Sequence, residues 1–481
     1  AAAAAAVLIP SSPEANMTSV ALSRFDEVDV AALAKDDLEV STITLYQREL
    51  ALHRGAQVAV TSEYICYAIK GGMIRIINRL DASRALLRGL EKVSDMAFAP
   101  SAPEGDDLEE EEEDVVLAAV GSEGGLRVWS LESSDGSLEP AELLKQDVGT
   151  PTARADVCDR VAWRPGSAEA QGSARLLATV LGDGENMILW AVRLGVVGQE
   201  PAFTLLNVNA APGTDAAARS IAFTPEGGAL VVALASQVSV FDIRTVTAGA
   251  ILAGTAAAPA AVSVLSLSGA DVPLESVTPL APGVLLVGSQ GNRRLSLWEQ
   301  AGDGGHYAPA SRLDIKVTAT DGSADGCLMP IHLATCSVPP MVGSQAGESA
   351  APPLILACDW RAGCLVTIRV RCPEPSPGGP LARFACARAF SAAGPVLSLE
   401  AAVEVNEEGA AADGSGGQGG TAPEVSVFVV QTNAVQRLAF RDAQLVDESK
   451  DEEAAGAVAP PAPVHLPGAA GGPGSGQVGL G

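Results

Sequence analysis

The segment RGLEKVSDMAF, residues 88–98, decides how the rest of the chain is read. Gly89 is followed by a short polar step and then by Val93–Phe98, a run that predicts a strand with side chains alternating toward a core. This is the layout at the opening of a β-propeller blade. Many such blades carry a Gly-His pair here, and the imidazole joins a hydrogen-bond network inside the blade. In this chain the residue after Gly89 is Leu90. The alternatives are a propeller without its polar latch or a different β fold.

The layout recurs. A strand ends, a Gly-bearing turn follows, and the next strand carries two apolar residues three and one positions ahead of a Trp or its substitute. GSEGGLRVWSL supplies Leu126, Val128 and Trp129, and LGDGENMILWAV supplies Met187, Leu189 and Trp190. ALASQVSVFDI gives Val238, Val240 and Phe241, GSQGNRRLSLWEQ gives Leu295, Leu297 and Trp298, and KGGMIRIIN gives Ile74, Ile76 and Ile77. Alternation puts the first two residues of each set on one face and the third on the other. Such a strand must be covered on both sides, as a blade is by its two neighbours. The Asp-Gly and Gly-Gly turns supply the positive φ that tight hairpins require.

The anchors Ile77, Trp129, Trp190, Phe241 and Trp298 are continued by two weaker ones, Ile368 in AGCLVTIRV and Leu438 in NAVQRLAF, which makes seven. Their spacing exceeds the roughly 40–45 residues of a bare WD-repeat blade, so each blade carries extra loop. The chain turns acidic after Val446 and leaves the seventh blade without an outer strand of its own. VSTITLY, residues 40–46, is expected to fill that place and remove the exposed edge. The expectation is an all-β, seven-bladed WD-repeat β-propeller over 38–446. It is preceded by a low-complexity, Ala-rich segment, 1–37, with only a short helix around Val28 to Lys35. An acidic, then Pro/Gly/Ala-rich tail follows at 447–481, and both terminal segments are expected to be disordered. A β-sandwich is the structural alternative, but it rarely needs seven similar modules.

The totals narrow the function. The chain has 481 residues, 47% hydrophobic, so a sizeable core is available. Lys and Arg number 31 against 58 Asp and Glu, a formal charge of −27, and aromatics are only 4%. Such a chain is repelled by phosphate backbones and anionic membrane surfaces, and it has few rings for base stacking. No apolar run reaches membrane-spanning length. AAAAAAVLIP lacks a basic leading region, so no signal peptide is expected. Eight cysteines form no CxxC pair and mostly sit among apolar neighbours, which reads as buried thiols in a reducing compartment. His53, His306, His332 and His465 stand alone, without metal-ligand spacing. No GxxxxGK[ST], HExxH or GxSxG is present. The two GxGxxG matches, at 414–419 and 474–479, lie in Gly-rich low-complexity sequence. No catalytic residue, metal or cofactor is therefore implied.

From Gly55 to Phe98, GAQVAVTSEYICYAIKGGMIRIINRLDASRALLRGLEKVSDMAF resembles the first-blade region of the Varicose family, the plant and algal counterparts of the animal enhancer of mRNA decapping, large subunit. The likeness lies in the VAV strand, YICYAIKGG, Ile74-Arg75 and the step from Arg88-Gly89 into DMAF. LLVGSQGNRRLSLW (285–298), GPVLSLEAAVEV (394–405) and VSVFVVQTNAVQRLAF (425–440) follow in family order. The resemblance implies a cytoplasmic scaffold of the decapping machinery, found in processing bodies, that couples decapping activators to the decapping enzyme. Its contact with RNA would be indirect. The family's Ser-rich linker and C-terminal helical region, tied to self-association, have no counterpart here, so self-association is not expected of this segment alone. A generic WD-repeat adaptor, for trafficking or for ubiquitin-ligase substrates, is the alternative.

Two charged stretches stand out. EGDDLEEEEED, 104–114, falls where blade two needs only a turn and reads as a solvated, self-repelling loop or as a lure for a basic segment. The loop at 404–424 is likewise an expected insertion. Over 70–92, Lys70, Arg75, Arg79, Arg84, Arg88 and Lys92 face only Asp81 and Glu91. Lys70, Arg75, Arg84 and Arg88 are candidate partner-binding residues for an acidic or amphipathic peptide, with RNA as the lesser alternative. The bland reading is a solvated blade edge.

The charge balance predicts that the isolated protein does not bind single-stranded RNA tightly at physiological salt. Filter binding or fluorescence anisotropy checks this. Sub-micromolar, salt-sensitive binding would contradict it and point to the blade-one cations.

Overall fold

The computed structural model describes residues 20–22, 25–30, 32–33, 35–48, 53–100, 115–134, 136–147, 159–165, 174–182, 186–206, 217–259, 261–266, 273–301, 306–316, 332–337, 353–359, 364–372, 381–392, 394–405 and 423–440. They form seven sheets of at least four strands, antiparallel except for two short parallel strands added at the edges of blades five and six, arranged as the seven blades of a propeller. Blade one consists of Val58–Val60, Tyr64–Ala68, Ile74–Asn78 and Arg84–Leu87. The inner strands of the next six blades are Val93–Phe98, Arg160–Trp163, Ser220–Phe223, Leu274–Ala281, His332–Ser337 and Val396–Val405. Neighbouring inner strands pack side by side around the axis at six of the seven joins, the last returning to the first, while blades five and six meet through a shared core.

The third strand of each blade shows why the ring holds. Leu126 and Val128 lie in a cluster shared with blade three, while Trp129 lies in one shared with blade one. Met187 and Leu189 face blade four, and Trp190 faces blade two. Val238 and Val240 face blade five, and Phe241 faces blade three. Leu295 and Leu297 join the core with blade six, whereas Trp298 packs back toward blade four. Ile74 and Ile76 face blade two, and Ile77 faces blade seven. Ile368 sits in the core between blades five and six, and Leu438 is fully buried. In blades one to five the anchor points back and the pair points forward, so the interfaces between them are filled from both sides. Burying each such side chain is worth roughly 1.5–3 kcal/mol, against about 1 kcal/mol for a typical net hydrogen bond.

Leu90 resolves the opening alternatives. It is 9% exposed and packs in the core between blades one and two. Its side chain lies over Gly121 and Gly125, where a Cβ would come within 3.1 and 3.3 Å of Leu90 Cδ2. The latch position is thus filled by a hydrocarbon plug. Gly72, with φ 65°, brings the preceding turn so close that a Cβ there would lie 2.1 Å from the Leu90 carbonyl oxygen.

The seventh blade consists of Val396–Val405, Pro423–Gln431, Ala434–Phe440 and, as its outer strand, Glu39–Leu45. Leu438 pairs with Val40 and Ala439 with Glu39, so the N-terminal strand closes the ring as expected. The helix expected around Val28 to Lys35 is not formed. Phe25–Asp29 is a strand, paired in parallel with Arg312–Lys316 on the outer edge of blade five. Val20–Ala21 and Lys35–Asp36 pair with the outer strand of blade six, Arg383–Ser391. Pairing on a blade edge overrides local propensity, because Val28 and Val30 enter the core between blades five and six. The acidic run 104–114, residues 406–422 and the tail 447–481 lie outside the described residues. Among the described residues no helix is long and apolar enough to cross a membrane.

Two truncations separate closure from edge covering. Deleting residues 1–46 removes Glu39–Leu45 and should cause aggregation or a large fall in Tm. Deleting residues 1–37 keeps that strand and should cost much less. Calorimetry with size-exclusion chromatography checks both, and a 1–46 deletion that stays monomeric and equally stable would contradict closure.

Candidate functional site

Two regions carry concentrated charge. The first is the blade-one set. Arg75 pairs across strands with Leu86, and Ile77 pairs with Arg84. Cross-strand partners and alternate residues share a face, so Arg75, Ile77, Arg84 and Leu86 line one side of the blade. Arg84, Arg88 and Lys70 are exposed and Arg75 is half-buried. Lys70 lies in the Lys70–Gly72 turn, near the end where Ile74 pairs with Leu87, and Arg84 lies toward the other end. The cations therefore string along the blade over about 13 Å, at roughly 3.3 Å per residue from Arg84 to Arg88. None of the four makes an ion pair with a described residue. Arg79, from the same basic stretch, is committed elsewhere. It donates to the Thr61 carbonyl at 2.8 Å and stacks 5.3 Å from the Phe428 ring centroid, tying blade one to blade seven.

The second region is the mouth of the central channel, where the inner strands begin. A cavity of about 240 Å³ is lined by Arg54, Asp95, Arg160, Glu275 and Glu400, and polar side chains such as Ser276, Thr278 and Asn292 outweigh the apolar ones in the rest of its lining. Polar side chains there link one inner strand to the next. Asp95 accepts from the Ala56 backbone N–H at 2.7 Å and from that of Val161 at 3.1 Å, joining blades one, two and three. Arg160 donates to the Arg219 carbonyl at 2.8 Å, and the Val277 N–H donates to Ser220 Oγ at 3.2 Å. The Gln57 N–H donates to Ser398 Oγ at 2.9 Å, across the join between blades seven and one. Glu275 is shared by Arg54 and by Arg219, the latter at 3.7 Å.

Burial sets the titration of these groups. It raises the Asp95 carboxyl above its usual range, partly offset by the neighbouring Arg160. It pushes Glu400 up to about 7, with the Asp95 charge adding to the effect. Cys336 is raised to about 12, by burial and then by Glu400. Among the described residues no group of three or more His, Cys, Asp or Glu could hold a metal ion.

Sequence reading singled out the blade-one cations and missed the channel. The available signal was positional: a polar or charged residue near the start of inner strands, as in VSDMAF, RVAW, SIAF, LESV and VLSLE. The described residues do not bring the blade-one cations into the channel lining.

The raised Glu400 carboxyl fixes a pH dependence. Its folded-state value of about 7 lies above the ordinary 4.5, so its contribution to stability is complete below about pH 4.5 and is lost as the pH rises through 7. Glu400→Gln cannot ionise. Relative to the parent, the variant should gain stability between pH 4.5 and 7 and level off above, by up to about 3 kcal/mol. Urea unfolding across this range measures it, and a pH-independent difference would contradict it.

Residues 35–193 match the family model of the WD40 region of Ge1, enhancer of mRNA-decapping protein. Enhancer of mRNA-decapping protein 4 from Danio rerio is 26% identical over 130 residues, 26% of this chain and 9% of that protein. The Homo sapiens protein of the same name is 25% identical over 160 residues, 31% of this chain and 10% of that protein. The matches thus span about a tenth of those relatives' own length. Among solved structures, the WD40 domain of Toxoplasma gondii coronin aligns with a TM-score of 0.46 and 14% identity, covering 88% of this chain and 91% of that one. The Myceliophteria thermophila Cps50 (Swd1) β-propeller domain aligns with a TM-score of 0.48 and 11% identity, covering 84% and 100%. The propeller assignment rests on the seven sheets described above, and residues 35–193 are similar to the WD40 region of the Ge1 enhancer of mRNA-decapping family.

Proposed function

We propose that this propeller is a non-catalytic scaffold of the mRNA decapping machinery, acting in the cytoplasm within processing bodies. It docks a decapping activator or the decapping enzyme by an acidic, extended segment laid along blade one. The observation that carries this is a line of cations, Lys70, Arg75, Arg84 and Arg88, without ion pairs to described residues, in a chain of net charge −27. It falls inside the region matched by the decapping-enhancer family. Arg forks favour paired contacts with carboxylates. A spacing of about 13 Å suits a peptide with several acids better than a single ion. RNA reaches the scaffold through the bound proteins.

Arg84 and Arg88 are exposed, so reversing them to Glu should change stability by less than about 0.5 kcal/mol. Recovery of decapping proteins from cytoplasmic extract, scored by mass spectrometry, should fall to background with the double variant. Unchanged recovery would make the patch ordinary surface. Recovery of trafficking or ubiquitin-ligase components instead would replace the decapping reading with that of a general adaptor.

A further inference from the structure

Blades five and six show how an edge of this ring is extended. Phe25–Asp29 adds in parallel to the outer strand of blade five, and Val28 and Val30 enter the core beside it. Val20–Ala21 adds to the outer strand of blade six. Other outer strands carry the charge or proline that blunts an edge. Blade one has Arg84, blade two has Glu139, Pro140 and Lys145, and blade seven has Glu39. Ala202–Leu205 on blade three and Ala261–Ser266 on blade four carry neither charge nor proline.

Of these two edges, the one on blade three is continued by a fixed apolar turn. Among the described residues ten large hydrophobic side chains are exposed, and Val196, Val197, Phe203 and Leu205 are four of them, within one hairpin. The turn is held from inside. Gln199 Oε1 accepts from the Arg193 N–H at 2.8 Å, and Gln199 Nε2 donates to the Arg193 carbonyl at 2.9 Å. The Gly198 and Gln199 N–H groups donate to the Glu142 and Leu143 carbonyls on the outer strand of blade two. Gly195 and Gly198, at φ 67° and 64°, make the reversals.

The strand that follows presents both backbone and side chain. The Leu206 N–H donates to the Met187 carbonyl, while Leu205 pairs with Ile188 and Phe203 with Trp190. Antiparallel alternation therefore turns the N–H and C=O groups of Phe203 and Leu205 to the open edge. The side chains of the same two residues are exposed, on the face that Ile188 and Trp190 turn toward blade two. The charges on that side are acidic. Glu200 is exposed, and Glu132 and Glu139, also exposed, oppose each other directly on blade two. Glu132 alternates with Leu126 and Val128, which face blade three. Like charges directly opposite repel, and an arriving cation relieves this. Arg193, the only cation of the hairpin 186–205, alternates with Leu189 and Ala191 toward blade four.

We propose that the open edge of Ala202–Leu205 takes an extended, basic-flanked apolar segment of a partner protein as a fifth strand of blade three, with its alternate side chains against Phe203 and Leu205. Main-chain hydrogen bonds to the edge hold such a segment, and the apolar side chains and acidic border select it. The site is separate from the blade-one cations, opposite to them in charge preference, and stands without them.

The probe is acetyl-KTVTVTVTK-amide, added to the full chain. Hydrogen exchange at the Phe203 and Leu205 amides should slow at least about fivefold at saturating peptide. By fluorescence anisotropy the probe should bind at least about tenfold more tightly than acetyl-KTVPPTVTK-amide, whose adjacent prolines remove a donor in either register. It should bind at least about threefold more tightly than acetyl-ETVTVTVTE-amide at low salt, and the gap should narrow as salt rises. Val197→Lys with Leu205→Lys, both at exposed positions, should abolish binding and leave Tm nearly unchanged. Glu132→Lys with Glu139→Lys should reverse the charge preference, while the Arg84 and Arg88 reversals leave it intact. No slowing at Phe203 and Leu205 with about 1 mM probe, equal binding of the diproline peptide, or a charge preference that survives Glu132→Lys with Glu139→Lys would overturn the proposal. A dimer of the free protein that Leu205→Lys dissolves would assign the edge to a second copy and overturn it as well.

Discussion

The ring depends on one seam. Its seventh sheet is completed by Glu39–Leu45, a strand from the opposite end of the chain, paired with Ala434–Phe440. Without that pairing a row of backbone donors and acceptors would be exposed on the last blade. The seam is reinforced from blade one. Arg48 donates to the Ala68 carbonyl at 3.1 Å and to Gln57 Oε1 at 2.7 Å, Gln57 donates to Ser398, and Arg79 stacks on Phe428. Closure entropy grows only slowly with loop length, so joining residues 39 and 439 costs little more than joining nearer ones. The effect is larger on rate, because contacts this distant in sequence form only after much of the ring is in place.

The blades themselves were legible because their code is binary. An apolar residue at positions three and one before an anchor, with alternation between, leaves no way to satisfy the strand except by covering both faces. The anchors Trp129, Trp190, Phe241 and Trp298 follow this rule. The strands at 20–36 were not legible. FDEVD has a single strongly buried side chain of known position, Val28, and its partner is almost 290 residues away. A short parallel strand laid on a blade edge has no local signature, and its spacing can imitate a helical turn. The channel was hidden for a related reason. Asp95 and Glu400 look like ordinary strand charges until the ring brings their strands around one axis.

Loss of the Gly-His latch does not leave the blades without polar ties. Gly89 is approached by Arg127 from the third strand of blade two, whose Nε lies 3.2 Å from where a Cβ of residue 89 would be. Arg127 is 4% exposed, donates to the Leu126 and Gln146 carbonyls, and pairs with Asp147 at 2.7 Å. In blade three Trp190 Nε1 donates to Thr179 Oγ1 at 2.8 Å. Blades two and three thus hold these polar atoms within their own sheets, and Leu90 needs only to fill space. That division suits a divergent repeat. Apolar filling tolerates substitution if volume is kept, whereas a shared polar network fails when one member changes.

The two charged regions act at different ranges. At physiological salt the screening length is about 8 Å, so the net charge of −27 does not reach across the molecule to decide local binding. Along blade one the cations are spread over more than that length and are mostly exposed. Each therefore acts nearly alone, and affinity must come from a segment that meets several at once. In the channel mouth, Glu400 is walled by protein and screened much less, so neighbouring charges such as that of Asp95 act on it strongly. Contacts made by an exposed line of cations weaken with salt. The charge of a recessed carboxylate is set by pH rather than by salt.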